Sequence, residues 1–126
     1  MLEIADMKTL LMLSLLLLGA PLNAQKLTMR DQALRATSTA LIFADWSMTM
    51  DGLSKGLPES NPLLGKHPSR GYANTLIGST LLLNVFAVPH LHADDLRAFV
   101  WLAVIAIELD AVRANHSAGL SLSLRF

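Results

Sequence analysis

The chain contains no cysteine, which removes disulfide staples, thiolate metal sites, thiol nucleophiles and cysteine lipidation at once. Charge is scarce as well. Charged side chains make up 16% of the 126 residues, and ten basic groups balance ten acidic ones. Without a surplus of Lys and Arg, the electrostatic footprint of a nucleic-acid binder is missing. No internal repeat and no low-complexity tract interrupts the sequence. What is abundant is apolar surface: 52% of the residues are apolar and the mean hydropathy is +0.44. That excludes intrinsic disorder, and the length allows one domain at most.

Residues 1–24 have the plan of a secretory signal. Lys8 precedes the apolar run Leu10 to Leu18, and Gly19-Ala20-Pro21-Leu22-Asn23-Ala24 supplies the small residues that a signal peptidase needs. Pro21 stops the helix, so the chain after it is free to extend into a protease cleft. Cleavage is expected after Ala24, the competing reading being an uncleaved anchor helix. Met7 is a cleaner start than Met1, because Glu3 and Asp6 are unusual ahead of a signal core. Residues 25–126 then form a single helical domain carrying nine basic and eight acidic side chains.

Three apolar stretches in that domain predict an all-α fold, with three short transmembrane helices packed as a small bundle. Spans are expected near 37–53, 72–89 and 96–112. The second is the clearest, because no formal charge occurs from Gly71 through Pro89; its length only just meets the roughly 17–20 residues a span requires. In the third, Ala98 to Ile107 is apolar on every side, unlike a one-faced soluble helix. Asp94 or Asp95 is placed to cap its start, and Arg97 and Trp101 suit an interface. The first is the weakest, since Asp45 and Asp51 interrupt it and a carboxylate at the centre of a span costs about 2.5–3.5 kcal/mol. The connection from Gly52 to Gly71 is rich in Gly, Pro, Ser and Asn and predicts turns or a re-entrant segment. The short link from Pro89 to Asp95 makes the last two helices antiparallel neighbours. The basic residues give a weak charge asymmetry, and three spans after an exported signal leave the C-terminus in the cytoplasm.

Ionisable groups inside spans are functional candidates by default. Asp45 is the first, with Thr49 one turn later on the same face and placed to donate to it. Glu108 follows Arg97, Trp101 and Val104 at steps of four, three and four, which keep to one helix face. If that stripe faces Asp45 and the mid-span Asn84, a small buried polar cluster results. Against this stands the plainer reading, in which Asp45 is a structural polar contact and Glu108 is wet at an interface. Asp110 is expected at the interface, paired with Arg113. His90 and His92 have no third ligand at a diagnostic spacing, so no metal is expected, and no cofactor either. Gly52-Leu-Ser54-Lys-Gly56 has the letters of a nucleophile elbow, but it ends a helix instead of following a strand. Asn115-His116-Ser117 reads as a glycosylation acceptor only in a eukaryotic secretory setting, which nothing in the sequence supports. Ala118 to Phe126 alternates apolar and polar residues and is expected to be a short amphipathic tail, not a barrel strand.

Asp45-Trp46-x-x-Thr49, followed by Glu59-x-Asn61-Pro62-Leu63-Leu64-Gly65, resembles a signature of small uncharacterised bacterial and phage-borne membrane proteins. That family has about three predicted spans and no assigned activity. The resemblance extends over roughly residues 38–115, its specific part over 45–69. It implies that Asp45, Thr49, Glu59, Asn61 and Pro62 form one unit. Independently of it, Pro62 biases Asn61 to an extended conformation, and Asn commonly bonds its own backbone in such turns. Glu59 then either shares a pocket with Asp45 and serves proton exchange or cation binding, or clamps the loop.

These features predict a bacterial inner-membrane protein, foremost a structural or interaction component. Membrane lipid, a membrane-protein partner or further copies of the chain are the expected partners. A small pore-forming or transport protein of the holin type is the alternative. An enzyme using the carboxylates of Asp45 and Glu59, with His67, stands third.

Overall fold

The computed structural model describes residues 26–59, 61 and 63–122. The signal sequence expected at 1–24, Pro62 and the end of the C-terminal tail lie outside these. Among the described residues the architecture is all-helical, with three α-helices and no strand.

Helix α1 spans Met29–Ser54 and starts on a reciprocal capping box. The Thr28 hydroxyl accepts from the Asp31 amide, and the Asp31 carboxylate accepts from the Thr28 amide. It ends where Gly56 takes φ 68°, a conformation that a residue with a Cβ avoids. Helix α2 spans Arg70–Leu82, with the Ser69 hydroxyl accepting from the Tyr72 amide at its start. It continues through a widened π-helical turn, Leu83–Ala87, into a 3₁₀ turn, Val88–His90. Pro89 has no amide hydrogen to offer upstream and its ring crowds the carbonyl four residues back, so the regular helix cannot pass unchanged. Helix α3 spans Asp94–Ser117. Neither expected cap forms there. Ala93 occupies the capping position without a side-chain bond, and Asp94 and Asp95 sit inside the first turn, where carboxylates favour the positive end of the helix dipole.

Cross-helix bonds fix the directions. Ser38 and Thr39 of α1 meet Asn84, and Trp46 meets Asn74, so α2 runs antiparallel to α1. Asp31 meets Arg97 and Asp45 meets Asn115, so α3 runs parallel to α1 and antiparallel to α2, as the short link requires. The apolar core is small: Ile42, Met50, Leu64, Ala73 and Ile77, flanked by Trp46, Leu76 and Val104. Leu64 belongs to the Gly/Pro-rich connection, which therefore folds back onto the bundle. Its ends are tied by the Glu59 amide donating to the Lys66 carbonyl at 2.8 Å.

The C-terminal segment docks as well. Gly119, at φ 81°, turns the chain, and the Leu120 amide bonds back to the Asn115 carbonyl at 3.0 Å. Leu120 is buried against Gly52, and the Ser121 amide donates to Asp51 at 3.1 Å. What reads as a free amphipathic tail is, in its described part, a latch on the end of α1.

Burial is less sorted by polarity than in a water-soluble bundle: beside the apolar core, many polar side chains are buried and many large apolar ones are exposed among the described residues. Asp31, Ser38, Asp45, Ser47, Thr49, Asp51, Asn84, Arg97 and Asn115 are all buried. Phe43, Leu82, Phe86, Phe99, Leu102 and Ile107 are exposed, Phe99 by 69% and Ile107 by 65%. Arg70–His90 is long and apolar enough to cross a membrane. It is the one such segment among the described residues, because α1 and α3 carry charges within their apolar stretches.

Candidate functional site

The middle of the bundle holds a cavity of about 440 Å³. Asp45 of α1 and Glu108 of α3 supply its acids, Leu76, Ile77 and Thr80 of α2 its apolar wall, and Asn61 and Leu63 its loop side. Asp45 is only 2% exposed, and its Oδ1 accepts a 2.8 Å hydrogen bond from Asn115 Nδ2. Glu108 Oε2 is buried without a hydrogen-bond partner among the described residues. The charges of Asp45 and Glu108 repel across this space, and Glu59, which is not part of its lining, repels Asp45 as well. No basic side chain pairs with Asp45 or Glu108 among the described residues. An acid removed from water needs a counter-charge or a proton, so the cavity is built to hold one or the other.

Thr49 does not play the part its spacing suggests. It is fully buried, but its hydroxyl has no hydrogen-bond partner among the described residues and Asn115 takes the place at Asp45. A shared helix face brings two residues near each other without aiming a β-branched hydroxyl, whose rotamers are few. Asn115 was legible in the pattern, since it lies seven residues after Glu108 on the stripe of Arg97, Trp101 and Val104. Reading it as part of a glycosylation triplet hid that.

The loop residues bond one another locally, and neither Glu59 nor Asn61 caps a helix end in the bonds described. Glu59 Oε1 accepts from the Asn61 amide at 2.9 Å, and Asn61 Oδ1 accepts from the Leu63 amide at 3.0 Å. Pro62 lies outside the described residues. Asn84 stands apart from the acid cavity. From the π-helical turn its Nδ2 donates to Ser38 Oγ at 2.9 Å and Thr39 Oγ1 at 3.1 Å, while its carbonyl accepts from Trp101 Nε1 at 3.3 Å. The expected single cluster is thus two sites: Asp45 with Glu108, and Asn84 nearer the start of α1. The antiparallel register of α2 is the cause, because it carries position 84 up to Ser38 and away from Asp45.

Arg97 is corrected most. From its sequence it is expected at an interface without a protein partner, but it is 1% exposed, with Nη2 2.9 Å from Asp31 Oδ2 and Nη1 donating to the Leu91 carbonyl at 2.7 Å. Asp94 also holds it, at 2.5 Å. Burial alone would push the Asp31 carboxyl up; the Arg97 guanidinium and the Thr28 amide and hydroxyl outweigh this and hold it below its ordinary value. Asp51 is engaged by Lys55 Nζ at 2.6 Å and by Ser121. No ion pair joins Asp110 to Arg113; Asp110 stands at the rim of the cavity instead. The Ser54 hydroxyl donates to the Asp51 carbonyl at 2.7 Å within the last turn of α1, which is no nucleophile elbow. No group of three His, Asp or Glu close enough to hold a metal ion occurs among the described residues. No protein family, no curated protein and no solved structure was found to match the chain.

Proposed function

We propose that the chain is a small integral protein of the bacterial inner membrane that acts as a structural or interaction component. Its spans lie near 37–53, 72–89 and 96–112, and the C-terminus faces the cytoplasm. The exposed apolar surface, together with the polar contacts buried between the helices, carries this reading. Buried polar side chains tie the helices together while phenylalanine and leucine face outward, which is costly in water and favourable in lipid. In lipid, Asp45 and Asp51 do not bar α1 from spanning, because both are covered by protein. Membrane fractions extracted with alkaline carbonate test it: the chain is expected to stay in the pellet, and release into the supernatant would point to a peripheral or periplasmic domain.

A second reading, proton or cation movement, is favoured by one observation. Asp45 and Glu108 line a cavity with no basic partner among the described residues. In proteoliposomes, a flux lost in both Asp45→Asn and Glu108→Gln supports transport. A flux that neither substitution changes, or no flux at all, leaves the structural reading.

A further inference from the structure

A second concavity lies on the opposite side of the acid cavity's helix, and its chemistry is different. Arg35, Ala36, Ala40 and Phe43 of α1, with Leu81 and Val85 across from them, line a groove of about 870 Å³. The α1 residues follow one another at helical spacing, so the groove runs along the helix axis with the alanines as its floor. Its lining begins at Leu27 and Gln32, and the stretch from Arg35 to Phe43 covers eight residues, roughly 12 Å at 1.5 Å per residue. One leaflet of a ~30 Å hydrocarbon core is only slightly longer.

The polar end is what identifies the occupant. The Arg35 guanidinium has neither a hydrogen bond nor an ion pair among the described residues. Asp31, the acid one turn earlier, is already held by Arg97. Gln32, beside Arg35 in the lining, spends its amide on the Leu27 carbonyl. A guanidinium lining an apolar trough, with no partner among the described residues, is complementary to a net-negative head on an apolar tail: its planar fork matches a phosphate, and a phosphatidylglycerol-type head has no choline ammonium to compete for that phosphate. We propose that this groove binds an acyl chain of an anionic phospholipid, whose phosphate is received by Arg35. The proposal rests on the membrane reading and adds a defined lipid site to it.

Trp46 provides the readout. Its ring lies 5.3 Å from that of Phe43, at the deep end of the groove, whereas Trp101 is fully buried and gives a constant background. The full chain is reconstituted in phosphatidylcholine vesicles doped with mid-chain-brominated phosphatidylglycerol or, separately, brominated phosphatidylcholine. Quenching of tryptophan fluorescence is then followed against mole fraction. The expected result is stronger quenching by the anionic lipid, half-saturating at a mole fraction roughly fivefold lower, the factor one basic side chain contributes at an anionic surface. Arg35→Gln should abolish that preference while leaving quenching by the zwitterionic lipid. Ala40→Phe, which fills the trough and keeps Arg35, should weaken quenching by both. Equal quenching by the two lipids in the native chain would overturn the lipid site and leave the membrane reading standing. A preference that survives Arg35→Gln would overturn it too. Quenching by neither lipid would contradict the membrane reading itself.

Discussion

Helices α1 and α3 bury charge against each other twice, in opposite ways. Near their starts, Asp31 meets Arg97 at 2.9 Å with both side chains essentially unexposed. Halfway along, Asp45 and Glu108 face a cavity with no cation among the described residues to balance them. The first arrangement is balanced in charge: a capping box, a guanidinium and a backbone carbonyl meet each other, although Asp31 Oδ1 accepts no hydrogen bond among the described residues. The second is open, with an orphaned Glu108 oxygen and room for a ligand. A paired buried charge serves register and specificity, whereas an unbalanced one costs stability and is the observation on which the second reading, proton or cation movement, rests.

Removing Arg97 should break the comparison hardest. Arg97→Met leaves Asp31 buried and unpaired and is expected to cost about 3–5 kcal/mol of stability. Combining it with Asp31→Leu should restore most of that, because the apolar pair leaves no charge behind. Unfolding of the detergent-solubilised protein, followed by circular dichroism, measures both. The acid cavity should respond in the opposite direction. Asp45→Asn and Glu108→Gln each relieve repulsion, and stability is expected to hold or rise by about 1–2 kcal/mol. A loss as large as that of Arg97→Met would make Asp45 a structural residue and erase the distinction.

A pH titration sharpens the contrast further. The folded-state pKa of Asp31 lies below its ordinary value of 3.8. Its stabilising contribution is therefore complete above that value, and it is lost as pH falls through the lower folded value. Thermal midpoints between pH 6 and pH 2 should decline in the acid range for the native chain and decline less for Asp31→Asn. The smallest effect is expected at the latch. Gly52→Ala gains about 1 kcal/mol of helix propensity. It also brings a methyl group to 3.1 Å from Leu120 Cδ1, which has to move by a few tenths of an ångström. The two nearly offset, and a stability change within about 0.5 kcal/mol is predicted.

Some of this was readable from the residues and some was not. The uncharged run from Gly71 to Pro89 announces α2, and the stripe of Arg97, Trp101, Val104 and Glu108 announces the buried face of α3. Asp45 facing Glu108 follows from such patterns once the two helices are placed together. The Asp31–Arg97 pair does not, because each residue has a plausible local role, as a cap or at an interface. The 66-residue separation is closed only by the parallel packing of α1 on α3. Asn84 was visible as a costly mid-span amide, but its partners depend on the register of α2, which a continuous apolar run does not encode. The latch of Leu120 and Ser121 is likewise invisible locally, because alternating residues describe a tail equally well.

The central claim, that the apolar residues outside this bundle face lipid, has a direct test in a chain free of cysteine. Single cysteines at Phe99, Leu102 and Ile107, with one at Lys66 in the connecting loop as reference, are treated in proteoliposomes with a charged, water-borne maleimide, before and after unfolding in SDS. Because only the thiolate reacts and a thiol in lipid does not ionise, the first three should be spared in the bilayer and modified after SDS, while position 66 is modified in both states once both sides are accessible. Rapid modification of positions 99, 102 and 107 by the charged reagent would place those faces in water and contradict it.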